Sequence, residues 1–576
     1  MNQKLENILN VSLDATEDEL RKADSLSTGY NWRDNTWEII VKYSGSLESI
    51  RNRYNVYIKE LLNYYAIIVA DKATIELISQ EDVIDYVEKP KSLYYQIERT
   101  KTAACVGSVR ADGNILSGKG VIVGVIDTGI DIFDNAFRNS DGTTRILNIY
   151  DQTTGEKYDK QSIDEYIRLN EDLSGGTFSY DNAPGVDNIM HGTDVSYIAA
   201  GSLGVAYEAD IIAVKMGYSI NNQFPRTTSL MDAIDYIIRK AIEYRKPVAV
   251  NISYGCNYGA HNGNTLLESF IDDISKSYRC VICVGSGNEA DKAIHFGGII
   301  NTGQVQTAYL SVGEYQSAID IQIWKNYWDT IDVMLINPRG EQIGIITEGR
   351  INRYETYNTE IITLLGEPSP YNIYQEIYIN LIPKTDYILS GIWQIVLMAG
   401  SIRAGEYNIW LPSSQVLGYA TAFNNPTADG TITIPATARN CIAVGAYNAY
   451  TNSYAAFSGR GFDNSIRNVN AGVKPDITAP GVDISIARQR GNDITYRNVT
   501  GTSYAVPVVT GAAALLMQWG IVMGNDRFMY GEKLKAALID GSKPVGLVGI
   551  TRNDNQPDPR TGWGAVCLKN TLNKIL

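Results

Sequence analysis

Two hydrophobic rhythms divide this chain. Runs at Val121–Ile126, Ile211–Val214, Val248–Ile252 and Val281–Val284, apolar throughout but for Asn251 and one glycine, read as strands buried on both faces. Between them Leu230, Ile234, Ile237, Ile238 and Ala241 recur at helical spacing, and Val195–Ala200 and Leu266–Ser277 read as further helices. The alternation predicts an α/β unit, a mostly parallel sheet with helices on both faces. It resumes at Cys441–Gly445 and ends in an apolar helix, Val508–Trp519. From about 298 to 430 short β segments replace it: Ile319–Trp324, Ile331–Ile336, Ile343–Ile346, Ile373–Leu381, Trp393–Met398 and Tyr407–Leu411. Turns such as Asn337-Pro338-Arg339-Gly340 separate these strands. Many short strands without helices predict a sandwich or jelly roll inserted into the α/β unit. Ahead of both, Trp37–Tyr43, Tyr64–Val69 and Val83–Val87 read as strands and Ala73–Leu77 as helix, a small α+β unit. The expected organisation is therefore 1–96, 97–297, 298–430 inserted, and 431–576.

Charge and composition narrow the function classes. A net charge of −14 over 576 residues argues against a nucleic-acid partner, which requires a basic footprint. No run of 18 apolar residues occurs, so no membrane span or membrane partner is expected. The first twenty residues lack the basic and apolar regions of a secretory signal, so synthesis in the cytoplasm without Sec export is expected, with later release left open. Six cysteines fit no zinc spacing; Cys280 and Cys283 fall on opposite faces of one apolar strand and are expected to pack the core. The segment Asp151–Asp181, rich in carboxylates, reads as a solvated surface loop, and no loop spacing supports a calcium site in it. Trp324, Tyr327 and Trp328 are expected to pack the inserted sandwich more than to stack on a ligand.

Three short blocks carry chemistry: Asp127-Thr128-Gly129-Ile130-Asp131, His191-Gly192-Thr193, and Gly501-Thr502-Ser503-Tyr504-Ala505-Val506-Pro507. A serine hydroxyl is a poor nucleophile until a base takes its proton, and an imidazole does this best when a carboxylate fixes its tautomer. Asp127 follows a predicted strand, His191 stands near a helix start, and Ser503 precedes an apolar helix with Pro507 expected in its first turn. His261 and His295 have no motif and are expected at the surface or a domain boundary.

The order Asp…His…Ser with these neighbours resembles the subtilisin-like serine proteases, over most of residues 100–300 and 430–576. That resemblance implies Asp127, His191 and Ser503 as catalytic triad, and Asn288, in Gly285-Ser286-Gly287-Asn288-Glu289, with the Ser503 N–H as oxyanion hole. It implies Ser253-Tyr254-Gly255 and Gly285-Ser286-Gly287 as the walls that bind substrate, and no metal or organic cofactor. The sequence departs from the family in two places: the block His191-Gly192-Thr193-Asp194-Val195-Ser196, where a second histidine and an alanine are frequent, and Tyr504, where methionine is common. The N-terminal unit resembles a subtilase propeptide, with self-cleavage expected near Gln96 and Ile97 and the fragment retained non-covalently. Propeptide, catalytic unit, jelly roll and no signal together resemble the Csp-type subtilases of clostridia, known for a role in spore germination. The implied activity is a serine endopeptidase acting on polypeptides, with a spore-lytic zymogen as one substrate; the rival is a catalytically weak sensor on the same scaffold.

Overall fold

The computed structural model describes residues 4–576 except 18–19, 21–26, 28, 62–63, 91–102, 108–109, 112–113, 173–182, 217–224, 347–350, 368–371, 463–471, 491–492 and 547–556. Two compact units divide it, Met1–Tyr95 and Gln96–Leu576. The expected cleavage point, Gln96 and Ile97, lies outside the described residues.

In the first unit Thr36–Tyr43 is the central strand of an antiparallel sheet, flanked by Tyr65–Ala70 and Ile84–Glu88. Its alternation buries Trp37, Ile39, Val41 and Tyr43. Leu9, Ile50, Ile75 and Ile78, from the helices Asn7–Asp14, Glu48–Tyr54 and Lys72–Gln80, join the same core. Glu48–Tyr54 buries Ile50 alone, and Tyr57–Leu61 is a strand with Tyr57 exposed, so neither left a hydrophobic period to read.

In the second unit the central sheet runs, in spatial order, Ile146–Asp151, Asp210–Lys215, Ile122–Asp127, Val248–Ile252, Cys280–Gly285, Ile442–Asn448 and Ile477–Pro480, all parallel. Every residue of Ile122–Asp127, Val248–Ile252 and Cys280–Gly285 is buried, as strands covered on both faces require. After Asp127 the chain builds one side of the sheet; after Lys215 it crosses to the other. That reversal opens a crevice beyond the carboxyl ends of Ile122–Asp127 and Val248–Ile252, where such sheets bind ligands. The helical stretch Thr502–Val522, which continues the helix Thr502–Met517, is long and apolar enough to cross a membrane by length and composition, but 89% of its apolar window is buried in the core.

The inserted segment is a two-sheet antiparallel β-sandwich. One sheet orders His295–Ile299, Glu406–Trp410, Ile319–Asn326, Tyr374–Pro383, Thr359–Leu365 and Ile351–Glu355; the other orders Gln342–Ile343, Ile331–Ile336, Gly391–Ala399, Val305–Val312 and Ala422–Phe423. Val305–Val312 pairs with Gly391–Ala399, and Ile319–Asn326 with Tyr374–Pro383, so early strands meet late ones in nested fashion. Ile321, Ile323, Val333, Ile379, Ile395 and Leu397 fill the space between the sheets.

Several expectations change. Asp151–Asp181 is not all loop: Glu156–Asp159 is an edge strand and Lys160–Asp172 a helix whose Ile163 and Ile167 are buried. Polar residues between those two isoleucines hid the period. Tyr327 and Trp328 do not pack the sandwich; they are 52% and 40% exposed and lie edge-on to each other at 5.0 Å. His261 and His295 are buried, not superficial, and stack on the two sides of Trp410 where the sandwich meets the parallel sheet. Burial lowers His261 to about 4, so it remains a neutral packing group. Cys280 and Cys283 are free, buried in opposite layers, and raised by burial to about 12. Cys105 and Cys567 form a disulfide that sequence spacing did not reveal, because 462 residues separate them.

Candidate active site

Asp127 is the last residue of its strand and is 1% exposed. Its Oδ1 accepts the Thr128 N–H at 2.8 Å and lies 2.7 Å from Nδ1 of His191. His191 opens the helix His191–Ala200, so the ring is carried by a rigid element. The helix reaches Asp127 only because Gly192 has no side chain: a Cβ there would stand 2.3 Å from the Gly129 carbonyl and 3.0 Å from Cβ of Asp127. Gly129 itself has φ +130°, which disfavours any other residue. These two glycines explain why the acid and base blocks carry small residues.

The start of the histidine helix is held by Asp187, a buried residue that the sequence motif did not reveal. Its Oδ1 accepts from Met190 N (2.7 Å) and Thr128 Oγ1 (2.8 Å), and its Oδ2 from Thr193 N (2.8 Å) and Thr193 Oγ1 (2.7 Å). This satisfies helix N–H groups that would otherwise be orphaned. Thr128 Oγ1 accepts in turn from Gly192 N at 2.9 Å, which stitches the acid block to the base block. Burial opposes protonation of His191, but the Asp127 carboxylate and its hydrogen bond, together with the charges of Asp194 and Asp187, outweigh burial and raise the imidazole above its ordinary 6.5.

Ser503 is the second residue of the helix Thr502–Met517, not the residue before it, so Pro507 lies in the helix interior. Pro507 has no N–H to give to the carbonyl four residues back, which is that of Ser503. That carbonyl instead accepts from Ser253 Oγ at 3.4 Å, tying Ser503 to the Ser253–Gly255 segment. Gly501 precedes the turn with φ +153°. The Ser503 and His191 helices pack together, and the Tyr504 ring lies 5.2 Å from the imidazole. Among the described residues the ring's hydrogen bond is to Asp127 alone, and the Ser503 hydroxyl has no partner. The expected hydroxyl–imidazole bond is therefore open here; such bonds are often long before substrate binds.

Asn288 follows the strand Cys280–Gly285. Its Oδ1 accepts from Thr502 N at 3.0 Å and Thr502 Oγ1 at 3.1 Å. With the oxygen taken, the Nδ2 donors are left for the Gly501–Ser503 turn; Nδ2 lies 3.7 Å from where a Gly501 Cβ would be. The Ser503 N–H, in the first helical turn, is a second donor for the same gap.

The two predicted walls are joined by a third segment that the sequence did not single out. Cys256 and Ile434 exchange backbone hydrogen bonds at 2.9 and 2.8 Å, and Thr433 N donates to Ser286 O at 3.0 Å. Thr433 thereby fills the space between Gly255 and Gly287: a Cβ on either glycine would fall 2.5 Å from its side chain. Ser253 is fixed by Asn251 Nδ2 at 3.0 Å, and Tyr254 packs against the core on one side of the sheet. Glu289 accepts from Ser413 Oγ (2.9 Å) and Ser414 N (3.2 Å), which anchors the end of the sandwich beside Asn288. A separate cavity of about 380 Å³, lined by His261, Ile432, Arg460, Lys474 and Lys535 among others, contains none of the triad. Its Lys474 and Lys535 pair with opposite oxygens of Asp476 at 2.8 and 2.6 Å, so it is not read as the reaction site.

Similarity to known proteins covers both units. The Csp protease B prodomain matches residues 3–91, and the subtilase family matches residues 118–368 and 404–564. The structure of the Clostridium perfringens CspB protease superposes with a TM-score of 0.75 at 34% identity, over 83% of this chain and 97% of that one. Among curated proteins, the subtilase-type proteinase RRT12 of Saccharomyces cerevisiae is 34% identical over 128 residues, which is 22% of this chain and 23% of the relative. Subtilisin E of Bacillus subtilis is 38% identical over 107 residues, 18% of this chain and 24% of the relative. The chain thus spans about a quarter of the length of these curated relatives. With the family match extending over both halves of the parallel sheet and the crevice between them, the chain belongs to the subtilase family, behind a prodomain of the Csp type.

Proposed function

We propose that this protein is a serine endopeptidase that cuts peptide bonds through an acyl-enzyme. Ser503 Oγ attacks the scissile carbonyl while neutral His191 takes its proton and later delivers it to the leaving amine. Asp127 keeps the ring in one tautomer and stabilises its charged form. The Asn288 Nδ2 and Ser503 N–H groups receive the developing oxyanion. The observation that carries this reading is the 2.7 Å Asp127–His191 contact, set against the Ser503 helix and an asparagine whose oxygen is already engaged. An extended polypeptide would add to the edge at Ser253–Gly255, with the side chain before the cut between that edge and Gly285–Gly287.

The prodomain supports synthesis as a precursor that cuts itself near Gln96 and Ile97 and keeps the fragment bound. The similarity to a Csp-type protease supports a spore-lytic zymogen as physiological substrate. Synthesis in the cytoplasm followed by spore association or release fits the Cys105–Cys567 disulfide, since such bonds persist in oxidising surroundings. The rival reading, a catalytically weak sensor, draws on the open Ser503–His191 contact. A fluorophosphonate probe and N-terminal sequencing separate the two. Wild-type protein is expected to be labelled at Ser503 and to begin near residue 97, with Ser503→Ala unlabelled and intact. An unlabelled, uncut wild-type chain overturns the endopeptidase in favour of the sensor.

A further inference from the structure

Three residues after His191 the same helix carries Asp194, a carboxylate with no exposed surface. A buried charge is tolerated only with partners. Both partners come from one hairpin, Ile484–Arg490 and Asp493–Val499, that leads into the Ser503 turn. Arg488 Nε donates to Asp194 Oδ1 at 2.9 Å, and a terminal nitrogen of Arg488 reaches the same oxygen and also the Met190 carbonyl, the latter at 2.9 Å. Arg497 meets the other oxygen, Oδ2, at 2.5 Å and stands near the Tyr504 side chain, whose ring packs on His191. A third arginine, Arg490, pairs with buried Asp131 in the acid block at 2.5 Å. The hairpin therefore grips the Asp127 block and the His191 helix and continues into the nucleophile.

The groups that face His191 are Asp127 from its strand, Asp187 from the preceding loop, Asp194 from its own helix and Tyr504 from the Ser503 helix. Arg488 and Arg497 stand behind Asp194. We infer that Asp194, clamped by Arg488 and Arg497, is a positioning residue that holds His191 in register with Ser503 and supports its basicity. The inference rests on the endopeptidase reading for its purpose, though not for its test. Burial raises the Asp194 carboxyl while Arg488 and Arg497 oppose that rise; as the anion it favours the imidazolium, in line with the raised His191. The two arginines moderate that field. Changing Asp194 to Asn removes the anion and leaves both cations, so the imidazole becomes less basic. Removing Arg497 alone strengthens the anion's effect, so the imidazole becomes more basic.

The chain has three histidines, so the His191 ring can be followed by NMR titration of histidine-labelled full-length Ser503→Ala protein, which needs no activity. Asp194→Asn is expected to lower the His191 midpoint by about 1 pH unit, and Arg497→Gln to raise it. In protein with Ser503 intact, the pH midpoint of fluorophosphonate labelling should move in the same two directions. Arg488→Lys, which keeps the charge and loses the fork, should leave the midpoint in place while slowing labelling. Should Asp194→Asn fail to fold, the partly exposed Arg497 decides the question through Arg497→Gln. Midpoints that stay at the wild-type value in every folded variant overturn the inference and leave Asp194 as a purely structural ion pair. A wild-type protein that titrates as expected but resists labelling would instead remove the endopeptidase reading and leave the electrostatic device standing.

Discussion

At the residue scale the site depends on which atoms are already occupied. Thr502 takes both hydrogen bonds that Asn288 Oδ1 accepts, and this forces the amide nitrogen toward the gap beside Ser503. Asn288→Ala removes that donor and should lower kcat by roughly 10²–10³-fold with little change in KM, since the interaction matters mainly in the transition state; steady-state kinetics on a peptide substrate checks this. Thr433 acts by volume. Its side chain is in close contact with both Gly255 and Gly287 and occupies the space between them. Thr433→Gly should move preference toward larger side chains before the cut, by about 1–3 kcal/mol in relative kcat/KM, as read from a library of peptides varied at that position. The pH profile has a definite sign. His191 must be neutral to accept the Ser503 proton and is raised above 6.5, so activity should appear as pH rises through a midpoint above that value and be lost on acidification.

At the scale of elements, helix-to-helix distance sets the distance between base and nucleophile. The Ser503 helix approaches the His191 helix at Gly511, where a Cβ would stand 2.5 Å from Val205 Cβ and 2.9 Å from the Ala199 carbonyl. Gly511→Ala must push the two apart, although alanine is the better helix former. The overpacking cost of about 1–3 kcal/mol should appear as a lower urea midpoint with unchanged m-value. Labelling of Ser503 should slow in the same variant, since the two catalytic side chains ride on the displaced elements. Pro507 shows the opposite use of a helix interior: a missing N–H releases the Ser503 carbonyl to Ser253.

At the scale of the whole second unit, the chain is closed on itself. Cys105, near its beginning, is bonded to Cys567, near its end, while Leu568 N donates to Ala104 O at 3.1 Å and Lys543 Nζ to Ala103 O at 2.6 Å. A cross-link over so long a loop restricts the unfolded chain strongly. Cys105→Ser should therefore cost about 2–4 kcal/mol of stability, seen as a lower Tm by calorimetry, and a reductant should reproduce the loss in the wild type without affecting the mutant. The sandwich is held at its own seam by Trp410 between His261 and His295 and by Glu289. Its position next to Asn288 places an all-β module at the edge of the oxyanion site.

Much of this was legible along the chain because its signals are local. Strands covered on both faces are almost wholly apolar and strands covered on one face alternate, so Val248–Ile252 and Ile331–Ile336 could be read to the residue. A proton relay needs fixed residue types beside small neighbours, which made Asp127, His191 and Ser503 visible at once. What depends on approach through space left no such trace. Asp187 and Thr433 are ordinary loop residues until folding brings a helix end or two glycine walls against them. Cys105 and Cys567 have no spacing rule over 462 residues. Asp194 looked like a departure from a motif; only the fold shows that its charge is matched by arginines nearly three hundred positions away. Sequence determined the chemistry and the type of each layer, because backbone periodicity and reacting groups are properties of short segments. Tertiary structure decided how the acid, base and hydroxyl blocks meet, how closely Thr433 fits between the two glycine segments and how buried charge is balanced, because each is a distance between segments that the chain order does not contain.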